Sequence, residues 1–267
     1  RHHNLAAGTD VFSAARSNLI AACSMSSWER SLRAVLAFIY PPACPGCGRG
    51  AVETSGFCGD CQRGLLSELT DVCRRCGAPV GPHLDTQSGC IHCRQDRFAF
   101  EAVYSLGVYS GPLRRACLQG QRQSSGRMLR ALAELWCDRW AAPVSDLRCE
   151  VIVPVPSHWS TRLRAAPPAA QTLAEQCARR LRLPCDPSIV RKVRRTAAQA
   201  SLPPTLRRQN LRGAFRLARG VRLDAPRILL VDDVLTTGAT AHGVATVLRS
   251  GGAAQVYVAV LARGIGT

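Results

Sequence analysis

Residues 228–240 read ILLVDDVLTTGAT. The apolar run Ile228 to Val231 has the pattern of a strand buried on both faces, as in a parallel sheet. Such a strand delivers two adjacent carboxylates, Asp232 and Asp233, to its C-terminal end, where open α/β sheets bind ligands. Thr236, Thr237 and Gly238 then form a tight loop, Ala239 follows, and a helix opens at about Thr240. Backbone amides at a helix N-terminus, several hydroxyls and a glycine that permits close approach together make a cradle for a monophosphate. The paired acids beside it suit a sugar diol, held directly or through Mg²⁺. A plain helix cap needs one such residue, not six in order.

Working outward, Glu150 to Pro156 (EVIVPVP) and Gln255 to Ala262 have the same strand character, and Phe100 to Tyr109 alternates as a strand that Gly111-Pro112 ends. Between them, Leu113 to Trp140 is helical in pattern with a glutamine-rich interruption at 119–123. Ala169 to Leu183 places Leu173, Cys177 and Leu181 on one helical face, and Ala239 to Ser250 is a helix closed by Gly251-Gly252. Apolar strands alternating with helices predict an α/β fold, a parallel sheet with flanking helices, over 98–267.

Ahead of it lie four CxxC pairs: Cys44 and Cys47, Cys58 and Cys61, Cys73 and Cys76, Cys90 and Cys93. A CxxC turn aims two sulfurs at one point, and two such knuckles complete a tetrahedral thiolate cage for zinc. The expectation is about two structural Zn²⁺ in a double zinc ribbon over 41–97. Adjacent pairing gives ribbons 44–61 and 73–93; interleaved pairing is the alternative. Thioredoxin-like redox chemistry competes less well, because no βαβ pattern intervenes. The six other cysteines (23, 117, 137, 149, 177 and 185) are scattered and read as small buried hydrophobes. Reduced thiolates point to the cytoplasm.

The chain of 267 residues is 46% hydrophobic, enough for a real core, and it has no apolar run long enough to span a membrane. Its formal charge is +17, and residues 151–267 carry +13 of it. Of the 35 basic residues only Lys192 is lysine. Arginine abundance of this kind reflects a GC-rich genome, but its placement does not: 13 basic residues and the single acid Asp186 fall between Arg179 and Arg222. A polyanion, either nucleic acid or a phosphorylated small molecule, is the natural partner of such a segment, against the alternative of a solvated basic surface. Residues 1–24 lack the pattern of a signal peptide. Residues 1–40 read as an extension followed by a short helix from Trp28 to Ile39, with Met25 as the expected natural start.

The stretch at 228–240 resembles the phosphoribosyl pyrophosphate (PRPP) motif of type I phosphoribosyltransferases: hydrophobic strand, two acids, then T-T-G-x-T. With the CxxC ribbons ahead of it, the chain resembles the ComF family, a double zinc ribbon followed by a phosphoribosyltransferase domain. Further landmarks are Pro41-Pro42, the VPVP turn at 153–156 with His158, Arg194, Thr196 and Gln199 in an R-x-T-x-x-Q pattern, and Arg208, Asn210 and Gly213-Ala214-Phe215.

The resemblance implies a type I phosphoribosyltransferase fold and a set of roles. Asp232 and Asp233 would hold the ribose hydroxyls. Thr236, Thr237, Gly238, Ala239 and Thr240 would bind the 5-phosphate, and Pro154, Val155, Pro156 and Ser157 would occupy the pyrophosphate loop. Arg191 to Leu206 would be a flexible loop whose Arg194 and Arg195, with Mg²⁺, stabilise the leaving pyrophosphate. Two stretches depart from the family pattern: Ala165 to Ala169 replaces an R-G-F-N-Q-like run, and a lysine is absent near 118–123, where only Arg122 is basic.

Two functional readings follow. One is a PRPP-binding phosphoribosyltransferase-like protein that transfers ribose 5-phosphate to an unidentified acceptor. The other is an accessory protein in DNA uptake or competence, with single-stranded DNA and DNA-uptake or replication-restart proteins as partners and little or no turnover.

Overall fold

The computed structural model describes residues 43–50, 56–66, 71–81, 84–86, 88–122, 126–157, 168–196 and 204–265. Its elements run α1 (Gly59–Leu66), β1 (Val103–Ser105), α2 (Gly111–Arg122), α3 (Arg127–Ser145), β2 (Val151–Pro154) and α4 (Ala169–Leu181). There follow β3 (Val190–Lys192), α5 (Pro204–Leu211), β4 (Phe215–Leu217), β5 (Arg227–Leu235), α6 (Ala239–Ser250) and β6 (Gln255–Arg263). The expected helix at Trp28 to Ile39 and the proposed start at Met25 lie outside the described residues, as do His158, Ala165 and Gln199.

Four strands pair in the order β1-β6-β5-β2, all parallel. Because successive side chains of a strand point to opposite faces, the apolar run of β5 splits cleanly between two cores. Ile228 and Leu230 pack with α6 and with Val190 and Phe215 of the β3–β4 hairpin, whereas Leu229 and Val231 pack with α3 and α4. All four side chains are fully buried, each contributing about 1.5–3 kcal/mol of transfer free energy. The edge strand β1 is covered by α3: Trp136 Nε1 donates to Tyr104 O at 3.0 Å and Trp140 Nε1 to Ser105 O at 2.8 Å.

The structure differs from the sequence expectation in three places. Of Phe100 to Tyr109 only Val103–Ser105 is strand, with a single bridge from Val108 to Arg263. Helix α2 continues through 119–122, where an interruption was expected, and α3 runs on through Pro143 to Ser145. The segment expected as a loop from Arg191 to Leu206 is regular at both ends, since Arg191 and Lys192 belong to the antiparallel β3–β4 hairpin and 204–206 to α5. Among the described residues no helix is long and apolar enough to cross a membrane.

Candidate functional site

Strand β5 runs past the apolar stretch to Leu235, so Asp232 and Asp233 sit within its last turn of pairing, not beyond it. Asp232 lies in register with Val260 of β6, and Val155 N donates to Val231 O at 2.8 Å on the other side. Pro156 and Ser157 therefore leave the sheet beside the acid pair. Between β5 and α6, Gly238 takes the left-handed conformation (φ 72°, ψ 4°) and the N-cap position, with no side-chain cap hydrogen bond. Ala239 N, the first amide of α6, donates to Thr237 Oγ1 at 3.4 Å, a long bond that a phosphate oxygen could replace. Asp232, Thr236, Thr237, Gly238, Ala239 and Thr240 line one cavity, whereas Asp233, Pro154 to Ser157, Arg194 and Arg195 do not line it.

Gly238 is required twice. Its φ disfavours any L side chain, and a Cβ there would stand 3.0 Å from the Phe98 ring. Gly238→Ala is expected to lower stability by about 1–3 kcal/mol and to displace the loop. Thermal unfolding unchanged from wild type would contradict this packing.

The acids are held by their own backbone. Asp232 Oδ1 accepts from Asp233 N at 2.9 Å, and Asp233 Oδ1 from Val234 N at 2.8 Å. Asp233 Oδ2 also accepts from Gln121 Nε2 at 2.8 Å. Gln121 is a site residue that the sequence did not reveal; it lies in α2, in the stretch where the family lysine is absent. Burial, and then the neighbouring charge of Asp233, push the Asp232 carboxyl well above its usual range. The folded state therefore binds a proton that the unfolded chain gives up near 3.8, and this contribution to stability is lost as pH rises through the raised folded value. Asp232→Asn should accordingly gain thermal stability over wild type at neutral pH, with the gap closing towards pH 4. A gap constant with pH would count against the buried acid.

Of the cations, Arg194 is committed to structure: its Nη2 donates to Asn210 O at 2.7 Å and to Arg212 O at 2.9 Å, tying β3 to the end of α5. Arg195 is exposed. Lys192, half-buried, places Nζ 5.9 Å from the Phe215 ring centroid. Burial, and then Arg194, lower its pKa, and Asp232 opposes them. Its status as the lone lysine was a signal the sequence carried, with no partner to interpret it.

The eight ribbon cysteines gather into two sets, Cys44, Cys47, Cys58 and Cys61, and Cys73, Cys76, Cys90 and Cys93, which is the adjacent pairing. Within each set all the sulfurs lie within 4.8 Å of one another. Individual Sγ–Sγ distances are 3.6 Å for Cys47–Cys58, 3.8 Å for Cys73–Cys93 and 3.5 Å for Cys76–Cys90. A tetrahedron with Zn–S bonds of about 2.3 Å has edges near 3.8 Å, and none of these cysteines is in a disulfide. The donor sets fit two structural Zn²⁺. Burial pushes the Cys44 thiol up, but the amides of Cys58, Cys47 and Gly46 outweigh it and bring it down to about 6, the direction that favours the thiolate a zinc ligand needs. Away from the ribbons, Cys117, Cys137, Cys149 and Cys177 are buried and Cys185 partly so.

Residues 35–95 match the model of the double zinc ribbon domain. The chain is 31% identical to Competence protein F of Haemophilus influenzae over 217 residues, 79% of this chain and 92% of that protein. The chain belongs to the ComF family. Among other ComF relatives, it is 32% identical to the DNA utilization protein YhgH of Salmonella typhimurium over 80% of this chain and 92% of the relative. For YhgH of Escherichia coli K12 the figures are 30%, 78% and 90%. The ribbon match spans both cysteine centres.

Proposed function

We propose that this ComF chain is a PRPP-binding, phosphoribosyltransferase-like protein that serves DNA utilisation or competence. The observation that carries the proposal is the 236–240 loop, with the N-terminus of α6 and left-handed Gly238, set beside Asp232 and Asp233 at the C-terminal edge of a parallel sheet. Phosphate oxygens of a ribose 5-phosphate group would accept from the loop amides and from the hydroxyls of Thr236, Thr237 and Thr240. The carboxylates would accept from the ribose 2′ and 3′ hydroxyls. Asp232 and Asp233 are oxygen donors that suit Mg²⁺, which when bound supplies charge neutralisation to the pyrophosphate.

Pro154 to Ser157 would flank that pyrophosphate, while Lys192 and Arg195 are the cations left to face it. In transfer, the bond from the anomeric carbon to the pyrophosphate oxygen breaks and a bond to the acceptor forms, with electrostatic stabilisation of the departing charge. Calorimetric titration of PRPP with Mg²⁺ into the zinc-loaded protein tests the reading; saturable binding is expected, and its absence would sink it.

The basic segment from Arg179 to Arg222 and the names of the ComF relatives favour a second role alongside the first, binding of single-stranded DNA. A chain tracking phosphates must weaken as salt rises, with a log–log slope of about −0.7 per neutralised phosphate. A salt-independent affinity would exclude it. Few aromatics, 5% of the chain, leave little for base stacking.

A further inference from the structure

Arg263, the last residue of β6, is only 5% exposed. Its guanidinium donates to Leu235 O at 3.1 Å and also to the carbonyls of Thr236 and Gly264, while Nε has no hydrogen-bond partner. Two of these acceptors open the anion loop. Among the described residues no carboxylate stands in an ion pair with this buried cation. A buried charge needs a compensating one.

The second cysteine centre stands on the same strands. Val103 N donates to Arg74 O at 2.8 Å, and Ser105 Oγ to Gly77 O at 3.4 Å, which fixes the Cys73–Cys76 knuckle on β1 beside β6. Arg263 is tied to the same edge segment: its N donates to Gly107 O at 2.8 Å and Tyr109 N to Arg263 O at 2.7 Å. Four thiolates around one Zn²⁺ would leave excess negative charge on that edge of the sheet, complementary to the guanidinium.

A second strand of contacts leads to the loop from this centre. Phe98 packs against the Cys73, Cys76, Cys90 and Cys93 cluster, under the Arg75 guanidinium, and its ring backs Gly238. The next residue, Ala99, donates its N–H to His242 Nδ1 of α6 at 3.1 Å. The first centre is placed elsewhere: Cys44 packs into the core around α3, and Arg127 holds Ala43 O at 3.0 Å.

We infer that Arg263 is a positioning residue that couples the Cys73/Cys76/Cys90/Cys93 zinc centre to the 236–240 loop, so that phosphate binding depends on the second zinc and not on the first. The inference rests on the phosphate-binding reading of that loop only for its consequence; the coupling itself is read on the free protein.

The test is amide hydrogen exchange of residues 236–240 in the full zinc-loaded chain, together with zinc content and ribose 5-phosphate affinity. Arg263→Met should speed exchange of these amides, and weaken ribose 5-phosphate, by roughly ten- to a hundredfold, the range for outer-shell partners of metal sites. Arg263→Lys should recover part of both, because it keeps the charge and loses the fork. Cys76→Ser should lose one zinc and loosen the loop, whereas Cys47→Ser should lose one zinc and leave loop exchange as in wild type. Where Cys76→Ser does not fold, Phe98→Leu reads the same coupling. Unchanged loop exchange in Arg263→Met, or equal loosening in Cys47→Ser, overturns the inference. Loop exchange as expected, with no ribose 5-phosphate binding even in wild type, leaves the coupling intact and removes the phosphate reading instead.

Discussion

The double variant Asp232→Asn with Asp233→Asn is expected to lose PRPP affinity by at least a hundredfold while remaining folded. Hydrogen bonds to charged groups contribute about 1.5–3 kcal/mol each. Two carboxylates that accept from the ribose diol would account for about 3–6 kcal/mol, less the cost of ionising Asp232 on binding, which leaves about two orders of magnitude or more in affinity. Unfolding is not the alternative explanation, because burial and like charge already oppose ionisation of Asp232. Neutralising it relieves the fold at neutral pH, so affinity and stability should move in opposite directions. Binding by the double variant within threefold of wild type would remove the acids from the site. Gln121→Ala is the finer probe. It frees Asp233 Oδ2 without changing its charge, so a loss well short of the double variant's is expected in the same titration.

Stripping both zinc ions with a chelator should unfold residues 43–98 while leaving the parallel sheet. Structural zinc contributes apparent binding energies of about 10–16 kcal/mol in small ribbon peptides, more than such segments recover by packing. Here the only regular element of the first ribbon is the eight-residue α1 among the described residues, and the second is joined by a single bridge from Val72 to Pro79. The sheet has cores on both faces, built mostly by its own strands and flanking helices, with Cys44, Phe57 and Leu65 of the first ribbon added to one of them. Metal analysis should find about two zinc ions per chain, and after chelation limited proteolysis should cut within 43–98 first. Equal protection of the ribbons with and without metal would contradict a structural role.

Much of this was legible in the residues. The β5–loop–α6 unit could be read because each of its steps has a local cause: an unbroken apolar run, a glycine needed for its φ, and a helix starting where the hydroxyls end. The adjacent pairing of the cysteine knuckles was one of two options that spacing allowed, and the structure chooses it. The β3–β4 hairpin was not legible. Its strands, Val190–Lys192 (VRK) and Phe215–Leu217 (FRL), have three residues each, too few to carry a periodic signal. The parts played by Gln121, Phe98 and Arg263 depend on contacts across 112, 140 and 27 positions of sequence respectively, which no local pattern encodes. For the same reason Arg194 read as a free loop cation, whereas the structure has it donating to the carbonyls of Asn210 and Arg212.

The most direct test of the central claim is a crystal structure of the zinc-loaded chain soaked with PRPP and Mg²⁺. The account predicts the 5-phosphate within hydrogen-bond distance of the amides between Thr237 and Thr240, with the ribose hydroxyls on Asp232 and Asp233. Ligand found instead on the basic surface between Arg179 and Arg222, with the 236–240 loop empty, would contradict it.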